Sequence, residues 1–217
     1  MKIEACEKTY AGKTVLRCPA LELPEGQITA VIGANGSGKS TLARVLASVE
    51  RADGGVRPPE GVRVGYLPQK PYAFRMSTVK NITANGNDEQ RARALMAALD
   101  LTPLAKQRAK RLSGGETQKL ALARLLMGSY DLLIADEPTA AMDMESTLTA
   151  ERLLLEYLRR TGCAMLLITH SVQQARRCAD RAIYLHGGAV LEQGDAKTLF
   201  YAPRAEETRR FLEFYGL

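Results

Sequence analysis

The sequence has no tryptophan, only two histidines (His170 and His186) and only 6% aromatic residues. Its four cysteines, Cys6, Cys18, Cys163 and Cys178, form no C-x-x-C pair. So thin a stock of soft ligands argues against a structural zinc site or a disulfide framework, and reduced thiols in a cytosolic protein are expected. No apolar run approaches the roughly 18–20 residues of a membrane span, so the chain is not expected to cross a bilayer by itself. The opening "MKIEACEKTY" lacks the apolar region of a secretory signal. Internal repeats, low-complexity tracts and long linkers are also missing. Neither sign of charge dominates: 30 Lys and Arg face 24 Asp and Glu, a formal net charge of +6. That excess admits nucleotide, nucleic acid or a lipid surface as partner and selects none of them. The basic run "KQRAKR" at 106–111 reads as a solvated helix end.

What is present is an ordinary globular composition, 46% apolar, in 217 residues. Short apolar runs alternate with helical patterns. "QITAVIG" (27–33) reads as a strand entering a glycine turn, and "TLARVLASV" (41–49) puts Leu42, Val45, Leu46 and Val49 on one helical face. "DLLIADEP" (131–138) and "AMLLITH" (164–170) are continuous apolar runs, the mark of parallel strands buried on both faces. Between them "ESTLTAERLLLEYLRRTG" (145–162) has helical spacing and ends on Gly162, a fitting C-terminal cap. Strand, helix, strand is the βαβ unit of an α/β fold. Residues 69–127 differ: apart from the strand-like "TVKNI" (78–82) they carry helical patterns such as "DEQRARALMAAL" (88–99). They read as a helical subdomain inserted in a core of residues 1–68 and 128–217, all within one domain. The tail "EETRRFLEFYGL" (206–217) predicts an amphipathic helix with Phe211, Leu212 and Tyr215 against the core.

"GANGSGKS" at 33–40 fits G-x-x-x-x-G-K-[ST], and its glycines let backbone N–H groups converge on phosphate oxygens. The expected nucleotide contacts are Gly33, Ala34, Asn35, Gly36, Ser37, Gly38, Lys39, Ser40 and Thr41. Lys39 would neutralise β/γ-phosphate charge, and the Ser40 hydroxyl would ligate Mg²⁺. A preceding strand and following helix supply the context this motif needs. The plainer reading is a glycine-rich turn with an incidental lysine. A second apolar strand ends in Asp136-Glu137. Asp136 can hold Mg²⁺ through a water, and Glu137 can polarise an attacking water. Alone, the pair would read as an acidic helix start before Pro138. His170 ends the next apolar strand, where a lone histidine ordinarily reads as a hydrogen-bonded structural residue; if the strands are neighbours it would lie on the same edge and could contact the γ-phosphate. His186, in "LHGGA", reads as a turn residue.

The order Tyr10, "GANGSGKST", "YLPQ", "LSGGE", "DLLIADEP", "MD", "TH" resembles the ATPase subunit of ATP-binding-cassette systems over nearly the whole chain. The fold that this implies is a P-loop NTPase of RecA-like type: a mainly parallel sheet, an N-terminal antiparallel β element and an inserted helical subdomain. The resemblance implies that Tyr10 stacks on adenine, against a plainer role as a strand-edge tyrosine. It implies that Gln69 touches Mg²⁺ or the attacking water, Glu137 is the catalytic carboxylate, and His170 is the switch histidine. Asp143 matches the aspartate of the loop after the acidic strand. "AMD" replaces the usual Ser/Ala-Leu-Asp there, and Glu116 stands where a glutamine is usual.

"LSGGE" raises a separate question. Ser113-x-x-Glu116 fits a capping box, and a capped helix start also suits an anion. One small domain then has two phosphate-binding turns. The resemblance implies two subunits stacked head to tail, with Leu112, Ser113, Gly114, Gly115 and Glu116 serving the partner's ATP. A strictly local cap and a phosphate contact compete for Ser113. The implied function is ATP hydrolysis that drives a membrane transporter through separate permease subunits, with a solute-binding protein and no nucleic acid partner. The implied place is the cytoplasmic face of the membrane. "FRMSTVKNI" and "VLEQGDAKTLFYAPRAEETRRFL" resemble importers of small polar solutes, and "THSVQQARRCAD" those of tungstate. An exporter subunit shares every motif. A soluble ATPase acting on nucleic acid, ribosomes or cluster assembly remains a further alternative.

Overall fold

The computed structural model describes residues 1–55 and 61–215. The first strands are β1 (Lys2–Ile3), β2 (Cys6–Tyr10), β3 (Lys13–Cys18), β4 (Leu21–Glu22) and β5 (Ile28–Ile32), followed by helix α1 (Lys39–Leu46). Strands β6 (Gly54–Gly55) and β7 (Val64–Leu67) lead into helices α2 (Thr78–Thr83), α3 (Glu89–Ala98) and α4 (Gly114–Met127). Then come β8 (Leu132–Asp136), α5 (Met144–Thr161), β9 (Ala164–Ile168) and α6 (Val172–Cys178). The hairpin β10 (Arg181–His186) and β11 (Ala189–Asp195) precedes α7 (Ala196–Tyr201) and α8 (Glu206–Phe214).

Nine strands form one mixed sheet in the order β6-β2-β3-β11-β10-β5-β9-β8-β7. From β10 through β7 every neighbour is parallel. The hairpins β2/β3 and β10/β11 are antiparallel, and β1 pairs with β4 in a separate small sheet. Strands β5, β8 and β9 are buried at every position, as continuous apolar runs require. Successive side chains point to opposite faces. Leu133, Ala135, Met165 and Leu167 pack on the side of α3, α4 and α5. Leu132, Ile134, Leu166 and Ile168 pack toward α1 and the first strands. A third cluster joins Ala30, Ile32 and Tyr184 to α6, α7 and α8. Phe211 lies 4.9 Å from the Tyr184 ring, Leu212 is buried, and Tyr215 stacks on Phe211 at 4.8 Å while staying partly exposed. Gly216 and Leu217 of the expected tail helix lie outside the described residues.

Three local expectations are corrected. "TVKNI" forms helix α2, not a strand: Ser77 caps it by accepting from the Lys80 N–H, and Ile82 is fully buried. Its β-branched residues fall at 78, 79 and 82, which is also one helical face, and the buried Asn81 amide fastens it to Phe74 N and O. The helix beginning near residue 39 ends at Leu46, so Val49 stands out in solvent rather than on the apolar face. Ser48 takes a left-handed conformation at φ 55°, which turns the chain away. "KQRAKR" ends no α-helix; it runs into a 3-10 turn at Ala109–Arg111 and is pinned by hydrogen bonds from Thr78 N to Gln107 O and from Ala109 N to Met76 O. By contrast Gly162 caps α5 in the left-handed region at φ 67°; His186, expected in a turn, is instead the last residue of β10, paired with Ala189 just before the Gly187-Gly188 turn.

Candidate functional site: a phosphate-loop cleft at the strand ends

Parallel pairing brings the carboxyl ends of β5, β7, β8 and β9 to one edge of the sheet. The loop 33–38 leaves β5 there, Gln69 follows β7, Asp136-Glu137 closes β8, and His170 follows β9. They stand together at the crevice outside the strand ends where α/β sheets bind ligands, although His170 lines neither of its hollows and reaches the site through Glu137. The main cleft holds about 390 Å³ and is lined by Tyr10, Asn35, Gly36, Gly38, Lys39, Ser40, Thr41, Gln69 and Glu137. An adjoining hollow of about 520 Å³ is lined by Ser40, Gln69 and Asp136 among others.

The loop's glycines are needed by geometry. Gly33 sits at φ 150°, and a Cβ on it would lie 2.2 Å from the Leu185 carbonyl oxygen. Gly38, at φ 101°, begins α1 and would meet the Val15 carbonyl oxygen at 2.9 Å. Gly33→Ala should therefore remove nucleotide binding, with loss of fluorescence change on titrating a labelled nucleotide as the readout.

Lys39 is buried, and its ammonium donates to Gly33 O at 2.7 Å and Ala34 O at 2.9 Å. Burial lowers its pKa, while the Glu137 and Asp136 carboxylates oppose that shift. The Ser37 hydroxyl is buried without a hydrogen-bond partner. An orphaned hydroxyl, a lysine curled over carbonyls and free N–H groups at a helix start are the donors that a polyphosphate satisfies. Ser40 donates to Asp136 Oδ1 at 3.2 Å. Burial raises the Asp136 pKa, with the Ser40 bond acting against it. A hydroxyl and one carboxylate beside a phosphate cradle make an oxygen donor set of the kind Mg²⁺ takes. Among the described residues no cluster of three or more His, Cys, Asp or Glu offers a site for another metal.

Glu137 is nearly buried and sits in the left-handed region at φ 51°. Its N–H donates to the Ile168 carbonyl at 2.8 Å, and its Oε2 meets His170 Nδ1 at 2.8 Å. A non-glycine residue held there costs about 1–3 kcal/mol, and such positions cluster at functional sites. Tyr10 reaches the cleft rim from the end of β2 with its ring partly exposed, its hydroxyl on Glu50 and the Lys8 ammonium 5.3 Å from its ring centre.

Residues 112–116 do not line this cleft. Their capping box is formed: Ser113 Oγ accepts from Glu116 N at 3.3 Å, and Glu116 Oε2 accepts from Ser113 N at 2.7 Å. Leu112 packs on the core, whereas Ser113 and Gly114 are exposed. A Cβ on Gly114 would meet nothing, but one on Gly115 would lie 2.8 Å from the Ala141 carbonyl oxygen. The two glycines thus differ: Gly115 fits helix α4 against its own chain, and Gly114 leaves open space. Asp143 also stays outside the cleft, capping α5 through Ser146, and those hydrogen bonds lower its pKa.

Sequence reasoning missed three polar anchors. Gln118 is buried and donates to Glu137 O and Pro138 O. Gln174 reaches Thr139 and Glu151. Arg124 binds Asn81 Oδ1 and Tyr72 O, and its guanidinium lies 4.6 Å from the Phe74 ring centre. A polar residue inside a helical pattern ordinarily faces water, so no local signal marks these.

A phosphate loop between a strand and a helix, on a largely parallel sheet, defines a P-loop nucleoside triphosphatase. The sequence model of the family described as ABC transporter matches residues 16–140. The chain is 35% identical over 201 residues to the ATP-binding protein of a tungstate uptake system from Peptoclostridium acidaminophilum, covering 86% of this chain and 94% of that one. It is 30% identical over 237 residues to an arginine transport ATP-binding protein of Bacillus subtilis, covering 98% of each. Among solved structures, an ABC transporter ATP-binding subunit superposes with a TM-score of 0.84 at 21% identity, covering 98% of both chains. A dimeric ATP-binding cassette bound to ADP and Pi, in a post-hydrolysis state, gives 0.78 at 21% identity over 90% of this chain and 98% of that one. The chain belongs to the ABC transporter family, and is an ATP-binding ATPase within it.

Proposed function

We propose that this chain is the ATPase subunit of an importer for a small polar solute, an oxyanion such as tungstate, and that it works as a head-to-tail homodimer. The observation that carries the dimer is the exposed helix start at Ser113–Gly114, which has anion-binding character yet does not line its own cleft. A second copy is the partner that would bring a nucleotide to it. Relatives named for tungstate, arginine and sulfonate uptake support import. Among the described residues no helix is long and apolar enough to cross a membrane. Separate permease subunits would therefore hold the protein at the cytoplasmic face, with a solute-binding protein outside. Tyr72, Phe74 and Met76, exposed after Gln69, support a permease-docking role for the helical subdomain of residues 69–127.

In the site, Lys39 and the loop N–H groups bind the phosphates, and Tyr10 holds the adenine. Mg²⁺ would be held by Ser40, Gln69 and, through water, Asp136, and would offset phosphate charge. Glu137 orients the attacking water and accepts its proton, while His170 fixes Glu137 and meets the γ-phosphate. ATP binds the closed dimer better than the open one, and loss of the γ-phosphate lets it open. The importer reading is tested by cellular tungsten measured by mass spectrometry. Deleting the gene should abolish tungstate accumulation, and unchanged accumulation would overturn the tungstate assignment.

A further inference from the structure

We propose that Gln118 is a positioning residue that couples the two ATP sites, by tying the helix that carries Ser113 to the backbone of the same chain's Glu137. This rests on the head-to-tail reading above. Gln118 lies in the second turn of α4 and is 2% exposed. Its Nε2 donates to the Glu137 carbonyl at 3.1 Å and to the Pro138 carbonyl at 3.0 Å. Only the amide nitrogen can donate to two carbonyls, so chemistry fixes which way the side chain points.

The grip falls on backbone that needs holding. Glu137 is at φ 51°, a conformation that persists only where its surroundings over-determine it. The segment that follows is clamped from two sides. On one side Gly115 lets the start of α4 approach the Ala141 carbonyl, where a Cβ would stand 2.8 Å away. On the other, Gln174 of α6 donates to Thr139 Oγ1 at 3.0 Å. Helix α4 therefore has an exposed first turn that meets a partner's phosphate and a buried second turn that holds its own catalytic carboxylate. A shift of α4 on meeting the partner's nucleotide moves the Glu137 carbonyl in the chain's own site. In a symmetric dimer each site then sets the other's geometry, which is a coupling free energy with an identified physical carrier.

Gln118→Leu keeps the volume and removes both donors. The expected result is a Hill coefficient for ATPase falling from about 2, the number of sites, toward 1. Turnover falls as well, while the affinity for a fluorescent ATP analogue stays near wild type. Gln118→Glu places a carboxylate against the two carbonyls; at lower pH its protonated form regains one donor. Its activity relative to wild type should rise as pH falls, which a merely space-filling role would not produce. If the leucine variant does not fold, this pH profile carries the test. Folded variants with wild-type Hill coefficient, turnover and pH profile would overturn the coupling. An ATP-independent monomer of the Glu137→Gln protein on size-exclusion chromatography would instead sink the head-to-tail reading, and the coupling with it.

Discussion

Glu137→Gln is expected to slow ATP hydrolysis by about 10²–10⁴-fold, the span for losing a general base. The substitution preserves shape. The His170 Nδ1 contact at 2.8 Å can be kept by the amide, and the carbonyl held by Gln118 is untouched. What is lost is a carboxylate able to take a proton from water. Because Lys39, Ser40 and the loop N–H groups remain, ATP should still bind and close the dimer. The variant should therefore accumulate as an ATP-bound dimer, read by size-exclusion chromatography, while phosphate release reads the rate. Unchanged turnover in the permease-bound complex would remove Glu137 from its assigned role.

Ser113→Arg is expected to abolish cooperative ATPase, a fall of at least about 10²-fold, comparable to losing one preorganised donor on a developing charge. Binding of nucleotide by the single chain should be spared, because residues 112–116 lie outside its cleft. The formed capping box bears on how Ser113 can do both jobs. Its Oγ uses a lone pair to accept from Glu116 N. The hydroxyl proton stays available, so the same side chain can cap its helix and donate to a phosphate. The cap and the phosphate contact thus need not compete. Loss of the cap costs about 1 kcal/mol, read as the fall in stability of the nucleotide-free single chain carrying Ser113→Ala. A titration in which Ser113→Arg also lost monomer binding would contradict action on the partner's nucleotide.

Much of this arrangement was legible from sequence, because burial on both faces writes itself as an unbroken apolar run. That is why Leu132–Asp136 and Ala164–Ile168 were readable as buried parallel strands, and Ile28–Ile32 as a strand entering the phosphate loop. The Ser113/Glu116 box and Gly162 were readable because caps are local. Helix α2 was not, since Thr78, Val79 and Ile82 satisfy strand propensity while their spacing serves a helix. The Glu137–His170 contact was only conditional, for it depends on β8 lying beside β9. Gln118 carried no signal, because its partners are backbone carbonyls 19 and 20 residues further along.

The sheet order also dictates a timetable. Strand β5, which delivers the phosphate loop, pairs with β9 and β10, whose residues 165–168 and 181–184 come late in the chain. Ile28–Ile32 therefore leaves the ribosome with no neighbour on either side. At ~5–20 residues per second it waits about 7–27 s for its first partner. Such distant pairings fold slowly and expose a bare apolar edge meanwhile. A nascent chain stopped before β9 would carry a complete phosphate-loop motif and no platform to hold it. Placing the loop's strand inside the sheet thus makes the nucleotide site one of the last features the growing chain can complete.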